Sequence, residues 1–299
     1  MDLCLFARPH LAPGSDPAAF LEIARIADRA GMHSIAFGEH LVIGEDTSRY
    51  PYGPWIHKPD TPWFDPLITM ACLAAVTSTL RLSTGVLLAP LRPGLVTAKE
   101  VATLDVMSAG RAEIGIGTGW QSEEYTGVGL QWAGRQRRFD EVIETCRAAW
   151  GEQPFSVTVD GTRLAGLVAL PVPVQPRIPI YYGVKITATN ARRVARLGDG
   201  WTPVGVSPDQ VRDGVDQLRR AYEQAGRNPS ALVVRVPLPP VLNDDGHVDM
   251  DQSFTLARPY VDAGATMFQV GFNHRLSSVA EGEDLINSAM AAATTLDPR

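Results

Sequence analysis

The chain has 299 residues and a mass of 32.3 kDa, enough for two ordinary domains or for one (β/α)8 barrel of about 250 residues with insertions. A composition that is 45% hydrophobic and 20% charged excludes a disordered chain. A net charge of -6 excludes broad electrostatic binding to nucleic acid or anionic lipid.

The elements are predicted in chain order from periodicity and end signals. A first strand covers Leu3 to Ala7. Asp16-Pro17 starts a helix whose apolar positions, Phe20, Ile23, Ala24, Ala27 and Ala30, recur at three-to-four spacing until Gly31 stops it. Ser34 to Gly38 is the second strand. The segment from Leu41 to Pro62 is too rich in proline for a helix and too long for a simple connector, and it carries Tyr50, Tyr52 and Trp55. Those rings either close over a flat substrate or staple the loop to the body. Asp65-Pro66 restarts helix, to about Thr77. Arg81 to Leu88 is the third strand, Thr97 to Ser108 a helix, and Ala112 to Gly117 the fourth strand.

Trp120 to Gly134 reads as a loop and Arg138 to Trp150 as a helix. From about Gly151 to Pro176 the pattern changes to two short β runs around Asp160-Gly161, a hairpin signal and hence an insertion. The alternation then resumes: strands at Ile178 to Gly183, Gly200 to Val204, Leu232 to Leu238 and Thr266 to Gly271, each followed by helix, the last from Ser278 to Ala292. Eight strand–helix units predict one α/β domain over residues 1–299, a (β/α)8 TIM barrel with an insertion between strands 4 and 5. The alternative is a doubly wound sheet.

In such a barrel the active site stands at the C-terminal ends of the strands. There the chain places Arg8 and His10, Glu39 and His40, Arg92, Thr118 to Glu123, Gly183 to Thr187, and Phe272 to Arg275. His40 suits proton transfer, since an imidazole ordinarily titrates near pH 6.5; the plainer alternative is a bond to a backbone carbonyl. Glu39 either orients His40 or pairs with a barrel arginine. Glu123 and Glu124 favour a helix N-terminus through its dipole. Lys185, Thr187 and Asn190 open a helix and either hold a phosphate or cap it. Arg92, Arg192 and Arg193 are read as surface or dimer residues.

Familiar chemistries are missing from the sequence: no GxxxxGK[ST], HExxH, paired CxxC or GxSxG occurs, and no metal is expected. Asn243 to Asp251 lacks the ligand spacing of a calcium loop and reads as a turn and helix cap. Cys4, Cys72 and Cys146 sit in apolar stretches, so buried thiols in a reduced, cytoplasmic protein are expected. The start Met1-Asp2-Leu3-Cys4 has no basic leader, and no apolar run approaches a membrane span. Gly115-Ile116-Gly117-Thr118-Gly119 either permits a tight strand exit or lets a flat ring or phosphate approach the backbone.

Several segments together resemble one family: Phe37-Gly38-Glu39-His40, Asp65-Pro66, Thr84-Gly85-Val86, Pro90-Leu91-Arg92-Pro93, Ala102-Thr103-Leu104-Asp105, Ser108-Ala109-Gly110-Arg111, Gly115 to Trp120, and Gly198-Asp199-Gly200-Trp201. In this order they resemble the bacterial luciferase-like flavin and deazaflavin oxidoreductases, most closely the group that uses coenzyme F420. The resemblance runs from Leu3 to about Val204. It implies a barrel with an insertion, a homodimer, and a reduced flavin-type cofactor at the strand ends. It places His40 near the reactive edge of the ring, a bulge with a non-proline cis bond at Gly85-Val86, and cofactor contacts at Thr118, Gly119 and Trp120. Trp120 also walls the substrate pocket with His10, Tyr52 and Trp55. Where the family often has Gly-Gly, this chain has Gly183-Val184-Lys185, so Val184 narrows the phosphate approach and Lys185 supplies charge.

The implied reaction is hydride transfer between F420 and a small organic substrate. The alternatives are an FMN-dependent luciferase-like monooxygenase and a barrel that binds flavin without turnover.

Overall fold

The structure is a computed structural model that describes residues 1–55, 57–58, 60–244, 246–272 and 275–296. The chain begins with β1 (Asp2–Phe6), α1 (Pro17–Arg29) and β2 (Ser34–Phe37). After the proline-rich segment come α2 (Pro66–Ala74), β3 (Arg81–Thr84), β4 (Leu87–Leu88), α3 (Gly94–Met107) and β5 (Ile114–Gly117). Next are α4 (Ser122–Gly127), α5 (Arg135–Ala149), and the hairpin β6 (Phe155–Val159) and β7 (Thr162–Leu167). The last part runs β8 (Ile180–Tyr182), α6 (Ala188–Leu197), β9 (Gly200–Trp201), α7 (Pro208–Gln224), β10 (Val233–Pro237), α8 (Met250–Asp262), β11 (Met267–Gly271) and α9 (Val279–Ala293).

Among the described residues, nine parallel segments form one sheet in the order β3-β2-β1-β11-β10-β9-β8-β5-β4. β3 and β4 are two halves of one barrel strand, divided at Gly85-Val86, whose peptide bond is cis as expected. Leu82 in β3 also bridges to Ala112, and its N–H donates to Arg111 O at 2.9 Å, which brings the two ends of the sheet together. The eight-stranded barrel is therefore as expected. The hairpin leaves it between the fourth and fifth barrel strands, and its turn residues Asp160 (φ 46°) and Gly161 (φ 79°) both adopt the left-handed conformation such a turn requires.

Local signals explain several element ends. Asp16 and Asp65 cap α1 and α2, accepting from Ala18 N and Ile68 N at 2.9 Å each, with proline at the first helical position. α1 buries Phe20, Ile23, Ala24, Ile26 and Ala27. The sixth barrel strand is shorter than expected: it stops at Trp201, because Pro203 has no N–H to offer a ladder. The loop expected from Trp120 to Gly134 contains α4, and α5 begins at Arg135, directly after Gly134 turns with φ 80°. The segment before α8 is the expected turn, with Leu242 bridging Val248 and Asp249 capping the helix.

A polar layer closes the barrel interior. Arg235 is wholly buried, donates to Ser83 Oγ at 2.7 Å and Thr84 O at 2.8 Å, and lies 5.2 Å over the Tyr181 ring. Towards the N-terminal strand ends, buried Glu113 accepts from Arg81 Nε at 2.5 Å and meets His33 Nε2 at 3.1 Å. Glycine keeps this layer tight: a Cβ on Gly115 would stand 2.1 Å from Thr84 O. Cys4 and Cys146 are buried, whereas Cys72 is exposed. Among the described residues, no helix is long and apolar enough to cross a membrane.

Asp199 gathers Arg147 at 2.6 Å, Arg177 at 2.5 Å and Arg227 at 2.9 Å, and accepts from Ile180 N at 3.0 Å. Burial raises its pKa, but the arginines and the amide outweigh burial and hold the carboxyl below its usual range. A depressed carboxyl stabilises the fold above its unfolded pKa, and that contribution is lost as pH falls through the folded value. Asp199→Asn is expected to cost about 2 kcal/mol at pH 7, with the difference shrinking below about pH 4. Urea midpoints at pH 7 and pH 3 check this; an equal difference at both would refute it.

Candidate active site

The residues at the C-terminal strand ends form one mouth. His40 follows β2, and its side chain is 10% exposed. Its Nδ1 lies 3.2 Å from Glu124 Oε1, which also accepts from Leu41 N at 3.0 Å. Nδ1 has two partners: it donates to the Glu124 carboxylate when it carries the proton and accepts from Gln121 Nε2, 3.3 Å away, when it does not, while Nε2 has no hydrogen bond among the described residues. Gln121 packs beside the pair, donating to Val42 O at 3.2 Å and accepting from Gly44 N at 2.8 Å. It ties the start of the proline-rich segment to the loop after β5.

Glu123 and Glu124 lie in the first turn of α4 as expected, and Glu124 has the further part of holding His40. α4 turns Glu124 inward with Tyr125, both at most 1% exposed, while Glu123 remains outside. Two adjacent acids in a polar run carry no local mark of which one is buried. Glu39, by contrast, takes the second of its two expected roles. Its Oε2 accepts from Leu88 N at 2.6 Å, and its Oε1 pairs with Arg92 at 2.5 Å, whose other nitrogen reaches Asp65 at 2.8 Å. Burial raises the Glu39 pKa against the opposing pull of Arg92. Arg92 is accordingly no surface residue: its side chain is 15% exposed and locks β2, β4 and the N-cap of α2 together. Arg193 is likewise half-buried, pairing with Asp140.

Aromatic rings surround His40. Trp63, Trp55 and Trp120 have centroids 4.7, 5.5 and 6.0 Å from it. Tyr50 packs on Trp55 at 5.0 Å and on Trp120 at 5.4 Å; Tyr52 joins through Tyr50 and is 51% exposed. His57 sits against Trp55 and Trp63, and His10 lies 6.4 Å from His57. Burial, followed by the charges of Arg8, His10 and His40, pushes the His57 pKa down to about 4, so this ring is neutral near pH 7. The proline-rich segment thus staples itself to the strand ends through its rings, the second of the two roles expected of it. Trp63 and His57 were not singled out in the sequence, although both lie in or beside the same segment.

The other strand-end residues carry much of their exposure on backbone and small side chains. Gly85, Val86, Thr118, Gly119, Trp120, Gly183 and Val184 are all partly exposed there. A Cβ on Gly183 would meet Val86 Cγ1 at 2.9 Å, and one on Gly117 would meet Val86 Cγ2 at 2.7 Å. The two glycines therefore make room for Val86. The Val184 side chain packs against the main core, and its carbonyl accepts from Trp201 Nε1 at 2.8 Å. Thr187 and Asn190 serve as a cap: Asn190 N donates to Thr187 Oγ1 at 3.2 Å, and its side chain donates to Lys185 O at 2.8 Å. Lys185 is exposed beside them. Asn273 and His274, expected at the eighth strand end, lie outside the described residues.

A family model described as luciferase-like monooxygenase matches residues 1–296, and the chain belongs to this family. An uncharacterised protein of Mycobacterium tuberculosis is 32% identical over 234 residues, covering 76% of this chain and 81% of that protein. An F420-dependent glucose-6-phosphate dehydrogenase of Beutenbergia cavernae is 32% identical over 197 residues, 62% of this chain and 52% of the other. An FMNH2-dependent dimethylsulfone monooxygenase of Pseudomonas fluorescens is 31% identical over 150 residues, 49% and 40% respectively. In structure, the monooxygenase RslO1 of Streptomyces bottropensis superposes with a TM-score of 0.76 at 21% identity, over 99% of both chains, which bears on the fold. The chain is thus an oxidoreductase-family barrel whose relatives include F420-dependent and FMN-dependent enzymes.

For a planar redox ring the strand ends offer partly exposed backbone at Gly85, Gly119 and Gly183 and one donor, the Trp120 indole N–H, which is buried without a partner.

Proposed function

We propose that the protein is an F420-dependent oxidoreductase that moves a hydride between the deazaflavin and a small organic substrate. The observation that carries this reading is the buried Glu124–His40 pair at the strand ends, with the imidazole packed among three tryptophans. When bound, the deazaflavin supplies or accepts the hydride. The chain's part is to orient and to manage the proton. Glu124 holds the His40 ring by Nδ1–H, and Nε2 gives or takes the proton that accompanies hydride transfer. Trp55, Trp63, Trp120 and Tyr50 exclude water and favour a flat, weakly polar substrate. Gly85, Val86, Thr118 and Gly119 border the ring; the Thr118 hydroxyl, without a hydrogen-bond partner among the described residues, is a donor for it. Gly183 to Thr187 lie where the anionic tail runs, with Lys185 supplying charge.

The second reading is an FMN-dependent monooxygenase, favoured by the Pseudomonas relative. Titration of the protein with F420 and FMN separates the two. Deazaflavin is expected to bind at least about tenfold more tightly, a difference of about 1.4 kcal/mol. Equal affinity, or tighter FMN, would hand the function to the monooxygenase reading.

A further inference from the structure

Arg8 stands apart from most of the enclosed arginines, although Arg138 Nη1 on α5 is also buried without a partner. Arg92, Arg147, Arg193 and Arg227 each meet a carboxylate, and Arg111 and Arg235 are surrounded by carbonyls and hydroxyls. The side chain of Arg8, two residues past β1, makes no hydrogen bond or ion pair among the described residues, and its Nε is buried without a partner. Its guanidinium lies 5.2 Å over the Phe6 ring, the ring that a Cβ on Gly85 would touch at 3.0 Å. It therefore stands over the barrel interior at the mouth. Arg8 lines a small cavity with His10, Phe37, Gly38, Trp63 and Phe64. Trp63 also holds a buried indole N–H without an acceptor. The neighbouring groups add no counter-charge: Arg8 and Arg275 both depress the His10 pKa after burial, and Arg8 is the first charge to depress His57 after burial.

A guanidinium stays charged at any ordinary pH, and an enclosed charge without a partner is costly. An anionic oxygen in this cavity would answer the two donors that lack a partner, the Arg8 guanidinium and the Trp63 indole N–H. We infer that Arg8 and Trp63 form a subsite for the carboxylate of the substrate, so that the enzyme acts on a flat organic acid. A carboxylate is favoured over a phosphate because one planar fork and one indole N–H match two oxygens, whereas a phosphate dianion calls for more donors and charge. Trp63 joins the subsite to the reaction centre, since its ring is 4.7 Å from His40. The inference deepens the hydride-transfer reading and rests on it for the word substrate, but the subsite is testable without any cofactor.

The test uses benzoate and its neutral isostere benzamide on the full chain, read by quenching of tryptophan fluorescence. Benzoate is expected to bind at least tenfold more tightly than benzamide. Arg8→Gln should abolish that preference while leaving benzamide binding unchanged, and Arg8→Lys should retain part of it. Equal affinities in the wild type, or a preference that survives in Arg8→Gln, would overturn the subsite. Inorganic phosphate displacing benzoate at equal or lower concentration would overturn the carboxylate assignment. Should Arg8→Gln not fold, the wild-type ratio and the Arg8→Lys variant decide. Failure of F420 to bind would leave these results standing, and loss of the benzoate preference would leave the F420 titration standing.

Discussion

His40→Asn, loaded with reduced deazaflavin, is expected to lose at least about a hundredfold in kcat and to keep its cofactor affinity. A hundredfold is about 2.7 kcal/mol of transition-state stabilisation, within the range of a positioned acid or base. Asparagine can still meet Glu124 but has no proton to exchange near neutrality, so the variant separates chemistry from packing. Glu124→Gln supplies the complement. It leaves the imidazole in place and removes the carboxylate that its Nδ1 meets, so kcat should fall, by less than in His40→Asn. A small panel of enones, imines and alcohols, including acidic members, provides the working substrate. Normal kcat in folded, cofactor-loaded His40→Asn would end the proton-transfer role. Lost cofactor binding would reassign His40 to recognition.

Gly115→Ala is expected to destabilise the barrel by at least about 3 kcal/mol, through overpacking that no rotamer can relieve. The added methyl would stand 2.1 Å from Thr84 O and 2.8 Å from Arg235 Nη2. The first of these is backbone, held in turn by the bond from Thr84 Oγ1 to Gly115 O at 2.6 Å. Gly127→Ala is the control. Nothing lies within 4 Å of its Cβ position, so its effect should stay within about half a kcal/mol. Urea midpoints for both measure the contrast. A Gly115→Ala midpoint matching the wild type would mean that β3 and β5 can separate locally, contrary to the packing described.

The barrel was legible because its evidence is local and repeated. Asp16-Pro17 and Asp65-Pro66 announce helix starts through cap chemistry involving neighbours two and three residues away. Asp160-Gly161 announces a hairpin in the same way. His40 was legible by its place after a strand, and the cis bond at Gly85-Val86 by family resemblance. The partners of His40 were not legible. Glu124 is 84 residues away, on a helix too short and too polar to announce itself. Arg92 and Arg193 read as surface residues because nothing adjacent in sequence shows the carboxylates that enclose them. The polar layer around Arg235 and Glu113 was missed for the same reason. A charged residue in a strand reads as outward-facing until the partners on other strands are known.

That polar layer has a kinetic consequence. With Arg235, Tyr181 and Glu113 filling the interior, the barrel has one door, at the C-terminal mouth. Two ligands that share such a chamber form a queue. In the reaction proposed above, a deazaflavin held at the strand ends would enter first and leave last, unable to exchange with solution while the substrate is in place. Order of binding is then a property of the barrel's shape and needs no moving part: saturating the outer position should halt escape of the inner ligand altogether, where a barrel open at both ends would merely slow it.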